Sequence, residues 1–354
     1  MFATLICPSA WLFLSFFPGA QAPMAGGSRL PAGPPVLKDP CSFVGASHTL
    51  AFTPGATITN TFVTASDPDT RRFLIYVPST YSAQHAPYPV VYMHHGTGQT
   101  AQNSVNNTTW NHAAEVLEFI AVYPEALPYL LVDGTTRTKW HTDEVEEHVV
   151  DPSELPMADD VLFLRELHNT LGANLNIDCH RIYATGFSNG GAFVKTKLHV
   201  DLWDVFAATT SAGGIGLGGG TAVENYPTNS VDFRPHFEVV GTLDDKKLDN
   251  CIAAGDLQPG DLLPRHVVDV VATPCMWDPL VLFTESLGLD AAQYATSESQ
   301  AFTQFLWSTP VLGAGPREYR FRILPGMTHE YPSGTNYPTD YVPIFYAWMS
   351  QYTR

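Results

Sequence analysis

Basic residues are scarce in this sequence, and so is charge in general. The 354 residues include 18 Lys and Arg against 35 Asp and Glu, which gives a net charge of −17 with His neutral, and charged residues make up only 15% of the chain. No stretch is rich in Lys or Arg. A chain this acidic is repelled by phosphate backbones and by anionic lipid. These shortages exclude a nucleic-acid or membrane-surface role and favour a neutral or small partner.

Long apolar runs are also scarce. The most extended one, residues 2–17, falls short of the roughly 20 residues that cross a bilayer. It is followed by the small-residue pattern Ala20-Gln-Ala22, which predicts a secretory signal peptide over residues 1–22, although a basic segment before the apolar run is missing. A Gly- and Pro-rich, flexible lead-in follows over residues 23–44. We therefore expect a secreted protein with no membrane segment in its mature form.

Cysteines are few, and their spacing matches no metal site. Of the five, Cys7 lies in the predicted signal peptide, and no CxxC or HxxxH spacing supports zinc among the rest. In an exported protein the remaining four thiols allow three disulfide connectivities. The short separation favours Cys251 with Cys275, which leaves Cys41 with Cys179.

Apolar residues, in contrast, are plentiful at 45% of the chain, so a large core can form. Nearly continuous apolar runs, typical of buried strands, alternate with segments of helical periodicity that Thr109 and Asp159 can cap. This alternation predicts an α/β fold, with a mostly parallel sheet and helices on both faces. We expect one domain over residues 45–354, in which the less regular segment 246–300 is an insertion or cap region. The strand-like runs are residues 72–77, 89–93, 119–123, 181–185, 237–240 and 319–324.

The segment Gly186-Phe-Ser188-Asn-Gly190 carries the clearest chemical signal. It matches G-x-S-x-G between a predicted strand and a predicted helix, which is the context of a nucleophile elbow. Small residues are needed on either side of the serine because the turn is tight. The pattern predicts that Ser188 is a catalytic nucleophile.

A serine nucleophile requires a histidine to take its proton and a carboxylate to orient that histidine. In α/β-hydrolases these follow the serine in the order acid, then histidine. Asp244 comes just after the predicted strand 237–240, and its neighbour Asp245 is the alternative acid. His329 follows the strand that ends at Leu324 and is the only histidine after His266. The predicted triad is Ser188, Asp244 and His329.

Two backbone N–H groups should bind the oxyanion of a tetrahedral intermediate. One is that of Asn189, the residue after the nucleophile, and the other is expected from the loop His95–Gly98, with Thr97 as the candidate.

Other features give weaker signals. Trp140 and Trp277 are predicted in loops, where they could stack on an acyl group or a polymer. The acidic stretch 143–160 lacks the spacing of an EF-hand, and we expect a solvated loop with no metal there.

Several segments together carry a resemblance to a known family. They resemble the secreted polyhydroxybutyrate depolymerase and feruloyl esterase group of the α/β-hydrolase superfamily, over about residues 45 to 350. The resemblance implies cofactor-free ester hydrolysis by the Ser188, Asp244 and His329 triad, on hydroxyalkanoate polyesters, feruloyl-type aryl esters or acetylated glycans. The second acid at Asp245 and the long segment 246–300 depart from the family pattern. The segments are 72–78, 95–98, 123–125, 159–161, 181–191, 241–244 and 326–332.

We thus expect a secreted, monomeric serine ester hydrolase acting through an acyl-enzyme on a small or polymeric ester, with feruloyl-type aryl esters or hydroxyalkanoate polyesters as substrates. Alternatives within the group are synthetic aromatic polyesters and acetylxylan. Two further alternatives are a serine peptidase of the prolyl-oligopeptidase type and a polymer-binding module without catalysis.

Overall fold

The computed structural model describes residues 41–43, 45, 47–64, 70–142, 150, 159–214, 234–311 and 317–354. The predicted signal peptide, most of the predicted lead-in and most of the acidic stretch 143–160 lie outside these residues. Within them, no helix is long and apolar enough to cross a membrane.

A twisted central sheet organises the described part of the chain. Its strands are β1 (Thr57–Val63), β2 (Thr70–Tyr76), β3 (Tyr88–His94), β4 (Ile120–Pro124), β7 (Ile177–Phe187), β8 (Ala208–Ala212), β9 (His236–Leu243), β10 (Tyr294–Glu298), β11 (Thr303–Trp307) and β12 (Tyr319–Thr328). They lie in the order β1-β2-β4-β3-β7-β8-β9-β12-β11-β10. Six neighbouring strands in the middle of this order run parallel: β4, β3, β7, β8, β9 and β12. The strands at the two edges, β1 and β2 on one side and β11 and β10 on the other, pair antiparallel. A separate hairpin consists of β5 (Pro128–Leu130) and β6 (Thr136–Thr138).

The parallel strands are apolar on both faces because both faces are covered by helices. In β3, Val90 and Tyr92 pack into one core cluster, and Val91 and Met93 pack into another on the opposite face. The sequence-based fold class, a mostly parallel sheet with helices on both faces, is confirmed.

The helices are α1 (Ala101–Asn107), α2 (Trp110–Leu117), α3 (Asp160–Asn174), α4 (Asn189–Phe193), a π-helical turn (Val194–Leu198), α5 (His199–Asp201), α6 (Asp245–Ala253), α7 (Val267–Val271), α8 (Pro274–Ser286) and α9 (Val342–Met349). Helices α1, α2 and α9 contribute to one of the two cores, and α3 and α4 contribute to the other. The Asp159 side chain caps α3 by accepting the Leu162 N–H at 2.8 Å, as the sequence suggested.

Residues 246–300 contribute most of α6, together with α7, α8 and β10. These elements form a third core cluster with β11, β12 and the end of β9, to which Met276, Phe305 and Phe321 belong. The structure contains a Cys251–Cys275 disulfide between α6 and α8, and a Cys41–Cys179 disulfide that attaches the start of the described chain to β7.

Candidate active site

Ser188 lies in a strained turn between β7 and α4. Its φ of 52° and ψ of −123° are unusual for a residue with a side chain. Two glycines make the turn possible: a Cβ on Gly186 would collide with the Gly190 carbonyl, and a Cβ on Gly190 would collide with the backbone of His94 and His95. The serine is therefore held at the tip of a nucleophile elbow, half-buried.

His329 links the serine to a carboxylate. Its Nε2 lies 2.8 Å from Ser188 Oγ, and its Nδ1 lies 2.9 Å from Asp244 Oδ2 and 3.0 Å from Oδ1. A carboxylate only accepts hydrogen bonds, so the ring donates from Nδ1–H to Asp244 and Nε2 accepts the serine O–H. This arrangement can remove the serine proton and return it to a leaving group.

The structure distinguishes the two candidate acids. Asp244 is fully buried and caps α6, where Oδ1 accepts the Lys247 N–H at 3.1 Å. Asp245 points to solvent, with its side chain 63% exposed, and pairs with Lys246 at 3.4 Å. Asp244, not Asp245, is therefore brought to His329.

The triad comes together because its members follow neighbouring parallel strands. Ser188 follows β7, Asp244 follows β9 and His329 follows β12, and the Thr97 loop follows β3. The carboxyl ends of parallel strands share one edge of the sheet, which is where open α/β sheets bind ligands.

Both predicted oxyanion donors lie beside the serine. Asn189 is the first residue of α4, where a backbone N–H has no acceptor within the helix. The loop that carries Thr97 is in contact with the serine, because a Cβ on Gly96 would lie 3.2 Å from Ser188 Cβ. Thr97, Ser188 and Asn189 line a common groove of about 330 Å³.

His95 braces this loop in a way that motif reasoning missed. Its Nδ1–H donates to the Gly96 carbonyl at 2.8 Å, and its Nε2 accepts the Ala126 N–H at 3.1 Å. Burial lowers the pKa of His95 to about 4, so the ring is neutral at pH 7 and can fill both roles. The Gly96 carbonyl and the Thr97 N–H belong to one peptide unit, so fixing the first also fixes the second. The adjacent pair His94-His95 was the available sequence signal.

A second groove of about 510 Å³ is lined by His329 and Phe187. Its walls are dominated by neutral polar side chains, and Glu330 is the one carboxylate among the lining residues. The neutral polar residues that line it are Gln99, Asn103, Ser104, Asn106, Asn107, Thr108, Ser333, Thr335 and Asn336.

The prediction that Trp140 contacts substrate is wrong. The side chain is fully buried and stacks on Phe193 at 5.1 Å between ring centroids, because the chain after β6 turns into the core. Trp277 lies on α8 rather than in a loop, packed against Tyr294 and Trp307. It is not among the residues that line either groove.

Two groups of described residues are close enough to share a metal ion. One is Asp244, Asp245 and His329, in which the first and last already hydrogen-bond to each other. In the other, Cys41 and Cys179 with His180, the two sulfurs form a disulfide and offer no thiolate. Neither group resembles a dedicated metal site.

Residues 65–197 match the profile of the Esterase family, described as "Putative esterase"; this region includes Thr97 and Ser188 and ends before Asp244 and His329. No curated protein sequence matches the chain. Among solved structures, an acetyl xylan esterase from Aspergillus awamori is similar at 13% identity and a TM-score of 0.49, covering 83% of this chain and 99% of its own.

Two other solved structures are similar at the same level. An S-formylglutathione hydrolase from Agrobacterium tumefaciens has 14% identity and a TM-score of 0.49, covering 83% of this chain and 94% of its own. A ferulic acid esterase has 13% identity and a TM-score of 0.46, covering 78% and 92%.

The sheet order and the three strand ends that carry serine, acid and histidine define the class: the chain has an α/β-hydrolase fold. The partial family match, over residues 65–197, agrees with this fold.

Proposed function

We propose that this protein is a serine carboxylic-ester hydrolase that works through an acyl-enzyme. The observation that carries the proposal is the hydrogen-bonded series Ser188, His329 and Asp244, with 2.8 Å and 2.9 Å between the bonding atoms. Neither a binding module nor a structural protein requires a strained serine at the tip of an elbow, aimed at a histidine.

The reaction follows from the geometry. Ser188 Oγ attacks the ester carbonyl while His329 Nε2 takes its proton, and Asp244 stabilises the imidazolium that forms. The N–H groups of Asn189 and Thr97 bind the oxyanion. His329 then gives its proton to the leaving alcohol. Water, activated by the same histidine, hydrolyses the acyl-enzyme and releases the acid.

The substrate class is inferred from the groove beside His329. Because this histidine protonates the leaving alcohol, the alcohol occupies the groove that His329 lines. Amide and hydroxyl side chains there suit a neutral alcohol with several hydroxyl groups, such as the sugar of a feruloylated or acetylated glycan. Feruloyl-type aryl esters and acetylxylan, both esters of such sugars, are therefore our first candidates. Hydroxyalkanoate polyesters are a second candidate, favoured by the exposed apolar side chain of Leu243 beside the triad.

We also propose that the protein acts outside the cell as a monomer, without a cofactor. Two disulfides among the described residues support an oxidising compartment. The predicted signal peptide would direct the chain to export from the cell.

A panel of esters tests the function: methyl ferulate, acetylated xylan, p-nitrophenyl butyrate and hydroxybutyrate oligomers. We expect turnover of at least one, and a loss of about 10³-fold or more in Ser188→Ala, because triad members act as a unit. A Ser188→Ala variant with most of the wild-type activity would overturn the proposal.

Two controls separate the other classes. A fluorophosphonate probe should label the wild type at Ser188, whereas a binding module would show no adduct. Cleavage of peptide p-nitroanilides in preference to every ester would indicate a peptidase.

A further inference from the structure

Trp140 is buried, and its side chain and backbone together bond to both elements that carry the predicted oxyanion donors. Its indole N–H donates to the His95 carbonyl at 2.9 Å, on the loop that leads to Thr97. Its backbone N–H donates to Asn189 Oδ1 at 2.7 Å, and the Asn189 side-chain amide returns a bond to the Trp140 carbonyl at 3.4 Å. One residue thus bridges the loop after β3 and the start of α4.

The relative placement of these two elements matters because the donors come from different parts of the chain. An oxyanion hole works only when both N–H groups are already directed at the position where the negative charge develops. Hydrogen bonds within α4 can orient Asn189, but they cannot set its distance to Thr97. The pairing of β3 with β7 ends at His94 and Gly186, so a further connection is required beyond it.

The indole is rigid enough to serve as that connection. It stacks on Phe193 with an interplanar angle of 15° and packs edge-on against His94, with no exposed surface. Strand β6, just before Trp140, holds the same loop at a second point, where the Gly98 N–H donates to the Thr138 carbonyl at 2.8 Å. The loop is therefore fixed from one side by residues 138–140.

We propose that Trp140 is a positioning residue: it holds the backbone N–H groups of Thr97 and Asn189 at the distance and in the directions that an oxyanion hole requires. This inference rests on the proposed ester hydrolysis. It replaces the predicted role of Trp140 in stacking on substrate with a role inside the fold, in which Trp140 contacts the elements that carry the donors and does not contact the reacting atoms.

The test is Trp140→Phe, which keeps an aromatic ring against Phe193 and removes the N–H donor. Loss of a whole oxyanion donor costs about 10²–10³-fold in kcat. Misplacing one should cost less, and we expect kcat to fall about 10- to 100-fold with KM changed by no more than about twofold. A trifluoromethyl ketone, whose hemiketal oxyanion occupies the hole, should lose affinity in parallel, whereas binding of the product acid should not change.

Trp307→Phe is the matched control. Trp307 is also fully buried, stacks on Phe305 and donates its indole N–H to a carbonyl, that of Ala291 at 3.2 Å, but it lies on β11 in the third core cluster. Both variants should lower Tm, and only Trp140→Phe should lower kcat. Because Trp140→Phe could fail to fold, Asn189→Ala provides a second route: it removes the side-chain acceptor of the Trp140 backbone N–H and keeps the Asn189 backbone N–H donor. It should shift kcat and ketone affinity in the same direction.

The inference is overturned if folded Trp140→Phe and Asn189→Ala keep kcat and ketone affinity within about twofold of the wild type. It is also overturned if Trp307→Phe loses as much kcat as Trp140→Phe. Failure of the proposed function would look different, because Ser188→Ala would then retain activity whatever the Trp140 variants do.

Discussion

Replacing Asp244 by Asn tests the site most sharply, because the structure specifies how the new amide must orient. Asp244 Oδ1 accepts the Lys247 N–H, so the amide oxygen of the variant has to stay on that side. The amide NH₂ then faces His329 Nδ1, where the wild type presents Oδ2 at 2.9 Å. The side chain is fully buried, so no water can take over the carboxylate's role.

This orientation reverses the tautomer of His329. Nδ1 must accept from the amide, the ring proton moves to Nε2, and Nε2 can no longer take the proton of Ser188. A change of this kind lowers kcat by about 10⁴-fold, equivalent to about 5.5 kcal/mol of activation free energy. Asn caps helices about as well as Asp, so α6 should remain intact and Tm should change little.

The assay is kcat/KM for p-nitrophenyl butyrate in Asp244→Asn and in Asp245→Asn, each with a thermal melt. Asp245→Asn is the matched control, since its carboxylate is exposed, forms an ion pair with Lys246 and makes no hydrogen bond to His329 among the described contacts; its activity should stay within about twofold of the wild type. If Asp245→Asn loses activity while Asp244→Asn keeps more than about a tenth, the acid has been misassigned.

Two further predictions concern stability. Burial lowers the pKa of five histidines from the ordinary value of 6.5, so below pH 6.5 the unfolded chain binds protons that the folded chain does not. The free energy of unfolding, measured in urea, should therefore fall by about 1 kcal/mol per histidine for each pH unit from about 6 down to 4. A free energy of unfolding that stays constant from pH 7 to 5 would contradict this. The five are His94 (pKa about 3), His95, His168 and His199 (about 4 each) and His236 (well below its ordinary value). The second prediction concerns the disulfide between Cys251 and Cys275, which cross-links a sequence separation of 24. Replacing both residues by Ser should lower the free energy of unfolding by about 3 kcal/mol. An unchanged urea midpoint would refute a stabilising role.

Local patterns were sufficient to predict five of the six parallel strands and the elbow; the sixth, β8, is buried but reads Ala-Thr-Thr-Ser-Ala and contains no apolar run. The strands and helices that frame Ser188 follow from apolar runs, caps and glycines within about ten residues, and these interactions are local in the chain. The edge strands β1 and β10 were not predicted: the side chains of β10 are largely exposed, and in β1 only Asn60 and Phe62 are buried. They are strands because a neighbouring strand offers hydrogen bonds.

Trp140 illustrates what local patterns cannot show. Aromatic residues in turns are as compatible with a substrate platform as with a core position, and the sequence around Trp140 does not indicate which side of the chain faces the protein. Burial was decided by the packing of Phe193 and His94, which lie more than 40 residues away in each direction.

The sequence by itself determined the fold class, the nucleophile elbow and the order of acid and histidine, because these depend on residue type and short spacing. The choice of Asp244 over Asp245, the bracing of the Thr97 loop by His95 and the bridge made by Trp140 were decided only by the tertiary structure. Each depends on the direction in which a side chain leaves a strand end and on what it meets there. Those contacts join residues that are tens of positions apart, and spacing along the chain does not encode them.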